Sequence, residues 1–259
     1  MNICLFTENE IKSSEPFLSF DDKRGEHILK VLHKTQGDSF TAGIIGGASG
    51  EAVITLIDEA ARKIFFTFSE TGDGKPLNPL KMIVGFVRPI QLRRLLRDVA
   101  ALGVSELHLT GTELGEKSYM QSDLAQPEKV RELLLEGTVQ AGSTHVPQVF
   151  IHKSVQECLD SMGSLPFDKL RNRGAKGICL DNINPACSLI AAVPEPVEGC
   201  KGHDIIAAIG SERGWTDRER RLFEDAGFIR CGMGSRIMRT ETAVTVAGAI
   251  ILNGMGVLN

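Results

Sequence analysis

The chain predicts an α/β protein preceded by a small β-rich unit, and three observations carry that reading. Residues 1 to about 72 hold short β-prone segments separated by glycine turns. Thr71–Pro79, TGDGKPLNP, has the polar, turn-rich composition of a linker. Beyond it, strand-like and helix-like segments alternate, the pattern of a mostly parallel sheet covered by helices. The expected division is 1–72 and 78–259. A chain of 259 residues with 42% hydrophobic content has ample material for one large core or two smaller ones.

In the first unit, Ser39–Ile45, Ala52–Ile57 and Lys63–Ser69 are predicted strands. Their close spacing favours a small barrel. One amphipathic stretch, Lys23–Leu32, predicts a single short helix. Gly43, Gly46, Gly47 and Gly50 fit hairpin turns; without GK[ST] and a following helix they do not make a phosphate loop. In the second unit Lys81–Val87 is a buried-strand candidate. Residues 90–102 form a helix with Leu92, Leu95, Leu96, Val99 and Leu102 on one face, ended by Gly103. Glu106–Thr110 is the next strand. A helix begins near Pro127 and carries Val130, Leu133, Leu134 and Val139. Gln148–Ile151, Gly177–Asp181, Asp204–Gly210 and Phe228–Cys231 supply further strands, and Leu189–Val193 is strand-like. The segments 163–176 and 194–203 read as inserted polar loops. Glu195 and Glu198 there are expected to be solvated.

Composition excludes several functions. A formal net charge of −4 is not that of a bulk nucleic-acid binder, although clustered arginines leave local patches open. The six cysteines are scattered with no CxxC, so no metal or redox spacing is read and free thiols in a reducing cytosol are expected. The N-terminus lacks a basic flank and a long apolar core, so no signal peptide is expected. The uncharged run Thr242–Leu252 is too short to span a bilayer, which takes about 20 apolar residues. It is the length of a buried helix, and no membrane association is expected.

The chemistry gathers near the carboxyl end. The segment Asp204–Gly210 runs into Ser211-Glu212-Arg213-Gly214-Trp215, and Thr216–Glu219 has the spacing of a capping box that starts a helix. Gly210 and Gly214 would let backbone approach a ligand closely; an ordinary strand-to-helix turn explains them equally well. The second element is GMGSRIMRTETA, residues 232–243. Thr240 suits the cap of the last helix, and Glu241 near its N-terminus is favourable with the dipole. Arg236 and Arg239 have no such local explanation and need carboxylate, phosphate or solvent partners. Arg93 and Arg97 fall on the outer face of helix 90–102, with Arg88 before it. A solvated face and a phosphate-contacting stripe both account for them. No GxGxxG follows the first strand of this unit, which disfavours a standard dinucleotide fold.

Taken together, IGSERGWTDRE and MGSRIMRTETAVTVAGAI resemble the closing motifs of the bacterial small-subunit 16S rRNA uridine-N3 methyltransferase family, in the SPOUT superfamily. There the pattern is close to IGPEGG-[FW]-x-x-x-E and LG-x-RILR-x-ETA. GEHILKVLHKTQGD, LRRLLRDVAALGVSELHLTGTELGEKS and VQAGSTHVPQV are similar to its earlier segments, so the resemblance spans nearly the whole chain. Ser211 stands where the family has Pro, Arg213 where it has Gly, Ala101 for a Glu and His33 for an Arg.

The resemblance implies a small PUA-like β-barrel RNA-binding domain, then a SPOUT-type parallel sheet with a C-terminal trefoil knot. It implies S-adenosylmethionine as cofactor, held by Leu180 and Asp181, by Ile209, Gly210, Glu212 and Gly214, and by Met233, Gly234, Ile237 and Met238. Arg236, Arg239 and Glu241 are the expected catalytic residues. Arg88, Arg93 and Arg97, with His27 and Lys30 of the barrel motif, are the expected RNA contacts. The implied partners are 16S rRNA of the small ribosomal subunit and a second copy of the chain, paired as a homodimer through the knotted region, in the cytoplasm. Two rivals stand beside this reading: a SPOUT enzyme acting on a ribose 2′-hydroxyl, and an RNA-binding relative without catalysis.

Overall fold

A computed structural model describes residues 2–163, 176–193 and 204–258. The chain divides into two compact units. The first comprises residues 1–76 and 136–146, and the second 77–135 and 147–259. The insert-like loops, with Glu195 and Glu198, lie outside the described residues apart from their edges.

The first unit is a mixed five-stranded sheet. Its strands are β1 (Cys4–Phe6), β2 (Phe17–Ser19), β3 (Ser39–Ile44), β4 (Ser49–Asp58) and β5 (Lys63–Gly72), in the order β1-β3-β4-β5-β2. The β1–β3 pairing is parallel and the others are antiparallel. Alternate residues of the long strands face one core, where Phe6, Leu18, Ile28, Phe40, Ile54 and Phe66 are buried together. The stretch expected as one helix is two: an α-turn over Lys23–Glu26 runs into a π-helix over His27–Val31. Residues 136–146 join this unit through Thr144. Its amide donates to the Gly74 carbonyl at 2.9 Å, and its carbonyl accepts from the Gly46 amide at 2.8 Å.

The second unit is a seven-stranded sheet of β6 (Asn78–Gly85), β7 (Val104–Thr110), β8 (Gln148–His152), β9 (Lys176–Leu180), β10 (Cys187–Ser188), β11 (Ile205–Ile209) and β12 (Ile229–Gly232). The order is β10-β12-β9-β11-β6-β7-β8 and every pairing is parallel. The central strands are apolar on both faces, as a parallel sheet covered on both sides requires: β11 is buried at all five positions. Helix Pro89–Ala101 buries Leu92, Leu95, Leu96, Val99 and Ala100; Leu102 of the expected face is only half-buried, because the helix has ended and it sits at the C-cap. Helix Thr240–Gly254 buries Ala243, Val244, Ala247, Gly248, Ile251 and Leu252. Leu189–Ala192, strand-like in sequence, forms a short helix instead. The Ser188 hydroxyl caps it by accepting from the Ala191 amide, which turns the backbone away from extension. No described helix is long and apolar enough to cross a membrane.

Candidate active site

The parallel register builds the site. Leu180 pairs with Ile209 across β9–β11 and with Cys231 across β9–β12, so three strands end in one row. In an open α/β sheet, ligands bind just beyond such carboxyl ends. The loops that leave these ends enclose a cavity of about 290 Å³. Leu180 and Asp181, Ile209, Gly210, Glu212 and Gly214, and Met233, Ile237 and Met238 all line it, and so does Arg236. Gly234, Arg239 and Glu241 are adjacent in the chain but are not among its lining residues.

The 210–214 loop is held from several sides. Ser211 and Gly214 form an antiparallel bridge, and the Gly214 amide donates to the Ser211 carbonyl at 2.9 Å. Gly214 has φ +70°, which favours glycine there. A Cβ on Gly210 would stand 2.9 Å from the Gly214 Cα, so the turn closes only with glycine at this position. The Thr112 hydroxyl donates to the Ser211 hydroxyl at 2.9 Å, and Arg213 pairs with Glu116 at 3.1 Å. Two of the four family departures, Ser211 and Arg213, thus have partners in this chain. Arg88 lies 3.6 Å from Glu212 and donates to the Tyr119 hydroxyl at 3.2 Å.

Trp215 is fully buried against Phe223 and donates its indole N–H to the Leu180 carbonyl at 3.1 Å, tying this loop to the end of β9. The expected capping box forms between Thr216 and Glu219 and starts helix Asp217–Asp225. Glu219 is buried because it also accepts from the Glu113 amide at 2.9 Å.

Sequence reasoning missed Arg220, which lines the cavity. Its Nε meets Asp181 Oδ2 at 2.5 Å and its Nη1 meets Asp217 at 2.7 Å. The Asp181 hydrogen bond holds the guanidinium even more firmly protonated than usual. The other Asp181 oxygen accepts from the Ile183 amide at 3.0 Å. The Asp181 carboxylate is therefore committed to shaping the wall. Cys231, also on the wall, has its thiol pushed up to about 12, chiefly by burial, so it stays a neutral thiol at physiological pH.

Thr240 does not cap the last helix; Arg239 occupies the N-cap position, without a side-chain hydrogen bond. The Thr240 hydroxyl instead donates to the Gly210 carbonyl at 3.1 Å, joining the two sequence motifs directly. Glu241 is buried in the first turn, and its Oε2 has no hydrogen-bond partner among the described residues. A buried carboxylate oxygen without a partner is costly unless a ligand meets it.

The expected RNA contacts are dispersed. Arg88, Arg93 and Arg97 are exposed at and after the start of helix Pro89–Ala101. In the first unit, Lys30 is exposed and paired with Glu26 at 3.0 Å. His27 is half-buried, its Nε2 has no hydrogen-bond partner among the described residues, and burial lowers its pKa.

Residues 74–252 match the family model described as an RNA methyltransferase domain. The chain is 42% identical over 252 residues to the ribosomal RNA small subunit methyltransferase E of Treponema pallidum, covering 97% of this chain and 91% of that protein. It is 26% identical to the protein of the same name from Bacillus subtilis, over 92% of this chain and 90% of that one. Among solved structures, the small subunit methyltransferase E of Neisseria gonorrhoeae bound to S-adenosyl methionine superposes with a TM-score of 0.73 at 23% identity, covering 98% and 97% of the two chains. With that coverage by the family model and by a close relative, the chain belongs to the RNA methyltransferase family and, within it, to the ribosomal RNA small subunit methyltransferases E.

Proposed function

We propose that this chain is an S-adenosylmethionine-dependent methyltransferase that modifies N3 of a uridine in 16S rRNA of the small ribosomal subunit. One observation carries the reading: the two closing sequence motifs enclose a single cavity and are joined by the Thr240–Gly210 hydrogen bond. The lining suits that cofactor. Leu180, Ile209, Ile237 and Met238 offer apolar contact, and Gly210 and Gly214 line the cavity with backbone and no side chain.

Bound S-adenosylmethionine supplies a methyl group already activated on a sulfonium. The chain's work is alignment and charge. Reactants held in line remove much of the entropic barrier. Arg236 on the wall, with Arg239 beside it, stabilises the negative charge that grows on the uracil ring as its N3–H is lost. Glu241, between the lining residues Thr240 and Ala243 and with an Oε2 unpartnered among the described residues, is assigned to accept that proton once substrate binding brings the two together. Cys231 is excluded from that role by its neutral thiol. Arg88, Arg93 and Arg97 contact the RNA backbone. The finer architecture belongs to the same reading: a trefoil knot at the carboxyl end, a PUA-like barrel in the first unit that carries His27 and Lys30 to RNA, a homodimer through the last helix and a cytoplasmic location.

Nucleoside mass spectrometry of 16S rRNA from a deletion strain tests the proposal. N3-methyluridine should disappear on deletion and return with the restored gene. Loss of a 2′-O-methylated nucleoside instead would move the target to ribose. An unchanged profile, with no calorimetric signal for S-adenosylmethionine, would favour a non-catalytic RNA binder.

A further inference from the structure

Away from that cavity, the edge of the second unit's sheet holds a polar cluster that methyl transfer does not use. β7 and β8 are paired in parallel with His108 opposite Phe150 and Thr110 opposite His152, so His108 and His152 share one face of the sheet. Helix Val155–Gly163 covers that face and brings Cys158 to it. All three residues are at most 6% exposed. Their donor atoms lie within 4.8 Å of one another.

We propose that His108 Nδ1, His152 Nε2 and Cys158 Sγ form a binding site for a zinc-class ion, pinning the helix to the sheet edge. Two imidazoles and a thiolate are the donor set that borderline-soft ions prefer over magnesium or calcium. The imidazole nitrogens are 3.0 Å apart. Two nitrogens on one tetrahedral zinc stand roughly 3.3 Å apart and a nitrogen and a sulfur roughly 3.6 Å, so the rings must part slightly and the Cys158 sulfur, within 4.8 Å of the nitrogens, must close in as the ion binds.

The surroundings match a metal site more closely than a plain hydrogen-bonded pair requires. Glu106 Oε2 lies 3.3 Å from His108 Nε2, and its Oε1 is held by Lys81 at 2.5 Å. That carboxylate fixes the proton on Nε2 and leaves Nδ1 as a lone-pair donor. A carboxylate on the far nitrogen is the usual outer partner of a ligating histidine. Phe150 stacks on the His108 ring at 4.8 Å and sets its plane.

Protons balance simply. In the metal-free chain, His152 Nε2–H donates to His108 Nδ1. On binding, that proton shifts to the Nδ1 of His152 itself, freeing His152 Nε2 and leaving His108 Nδ1 unprotonated. The Cys158 thiol releases one proton to solvent as its sulfur bonds the ion. Nearby Glu106, Lys81 and Glu157 keep the site's net charge small once the ion is bound.

The test uses the full chain, stripped with chelator and titrated with Co²⁺ and then Zn²⁺. One equivalent of cobalt should produce a thiolate-to-cobalt charge-transfer band in the near ultraviolet and the visible bands of tetrahedral cobalt. Zinc should displace both and raise the melting temperature. Cys158→Ser should abolish the charge-transfer band, and His152→Gln should weaken binding at least tenfold. Two variants are used so that a folding defect in one, read by circular dichroism, leaves the other decisive. A second sulfur pair, Cys187 and Cys231 with sulfurs 3.6 Å apart, is the internal control. Binding that survives Cys187→Ser supports the site; binding lost there but kept in Cys158→Ser overturns it. Wild-type protein with no cobalt spectrum at stoichiometric metal overturns it as well.

Discussion

The cavity has two kinds of wall. The 210–214 loop is bridged to itself, bonded to Thr112 and Glu116, and anchored through Trp215 to the Leu180 carbonyl. The 233–239 loop is the opposite case. Among the described residues none of its side chains makes a hydrogen bond or ion pair, and Ile237 is 85% exposed. One wall is tied down by the chain's own contacts; the other has no such side-chain ties among the described residues. A wall tied down on several sides fixes the position of what it holds, whereas a loop without such ties is where active sites accommodate substrate entry. Changes in the first wall should therefore appear in stability, and changes in the second in turnover.

The largest expected effect is on the built wall. Arg220→Ala leaves the Asp181 carboxylate buried without its main partner. Breaking a buried pair in this way costs about 3–5 kcal/mol. Arg230 stands 3.9 Å from the same carboxylate, so the loss should fall near the lower end. Urea denaturation measures it, and a loss below about 1 kcal/mol would mean that this wall is not held by the pair. Arg236→Ala should do the reverse. Its removal is expected to lower kcat by about 10²-fold or more, the cost of one lost donor to a developing anion, with the melting temperature unchanged. Turnover near wild type would remove Arg236 from the mechanism, and Arg239→Ala would then carry the same test.

A matched pair of glycines sharpens the contrast. Gly214 and Gly234 both have positive φ, +70° and +101°. A side chain in such a conformation costs about 1–2 kcal/mol. The bridged turn around Gly214 cannot relax, so Gly214→Ala should show the full cost in thermal unfolding. Gly234→Ala should show less, because its loop is free to shift. Equal losses would mean that the second loop is as rigid as the first.

Much of this contrast was legible in sequence, and what was not has a physical reason. The helix 90–102 and the Thr216–Glu219 capping box follow from spacing alone, because both are local. Leu180, Ile209 and Met238 came from a motif resemblance, and the structure gathers them around one cavity. Arg220 was missed because its role depends on Asp181, 39 positions earlier, and no local pattern encodes that distance. Thr240 was expected to cap a helix because its position fits one. Its hydroxyl goes to Gly210 because the sheet brings that carbonyl within reach. The three-residue strands β1 and β2 are too short for alternation to register. The His108–His152–Cys158 cluster escaped for the same reason as Arg220: the residues meet only through strand pairing and a covering helix.

The smallest effect belongs to Arg213, where the family pattern has glycine. This residue lines the cavity, yet its guanidinium reaches outward to Glu116 at 3.1 Å, with the two side chains 66% and 51% exposed. A pair that wet contributes about 0–1 kcal/mol. Its φ is not in the positive region, so an arginine stands here without strain. Arg213→Gly should thus remove a weak ion pair and add some unfolded-state freedom, a total loss of about 1 kcal/mol in denaturation. The Ser211–Gly214 bridge and the Trp215 anchor hold the turn without the arginine. Cofactor affinity, read by calorimetry, should therefore change by less than about fivefold, the equivalent of 1 kcal/mol. A larger drop would place Arg213 among the groups that grip the ligand, and would make the built wall depend on a residue that its family pattern lacks.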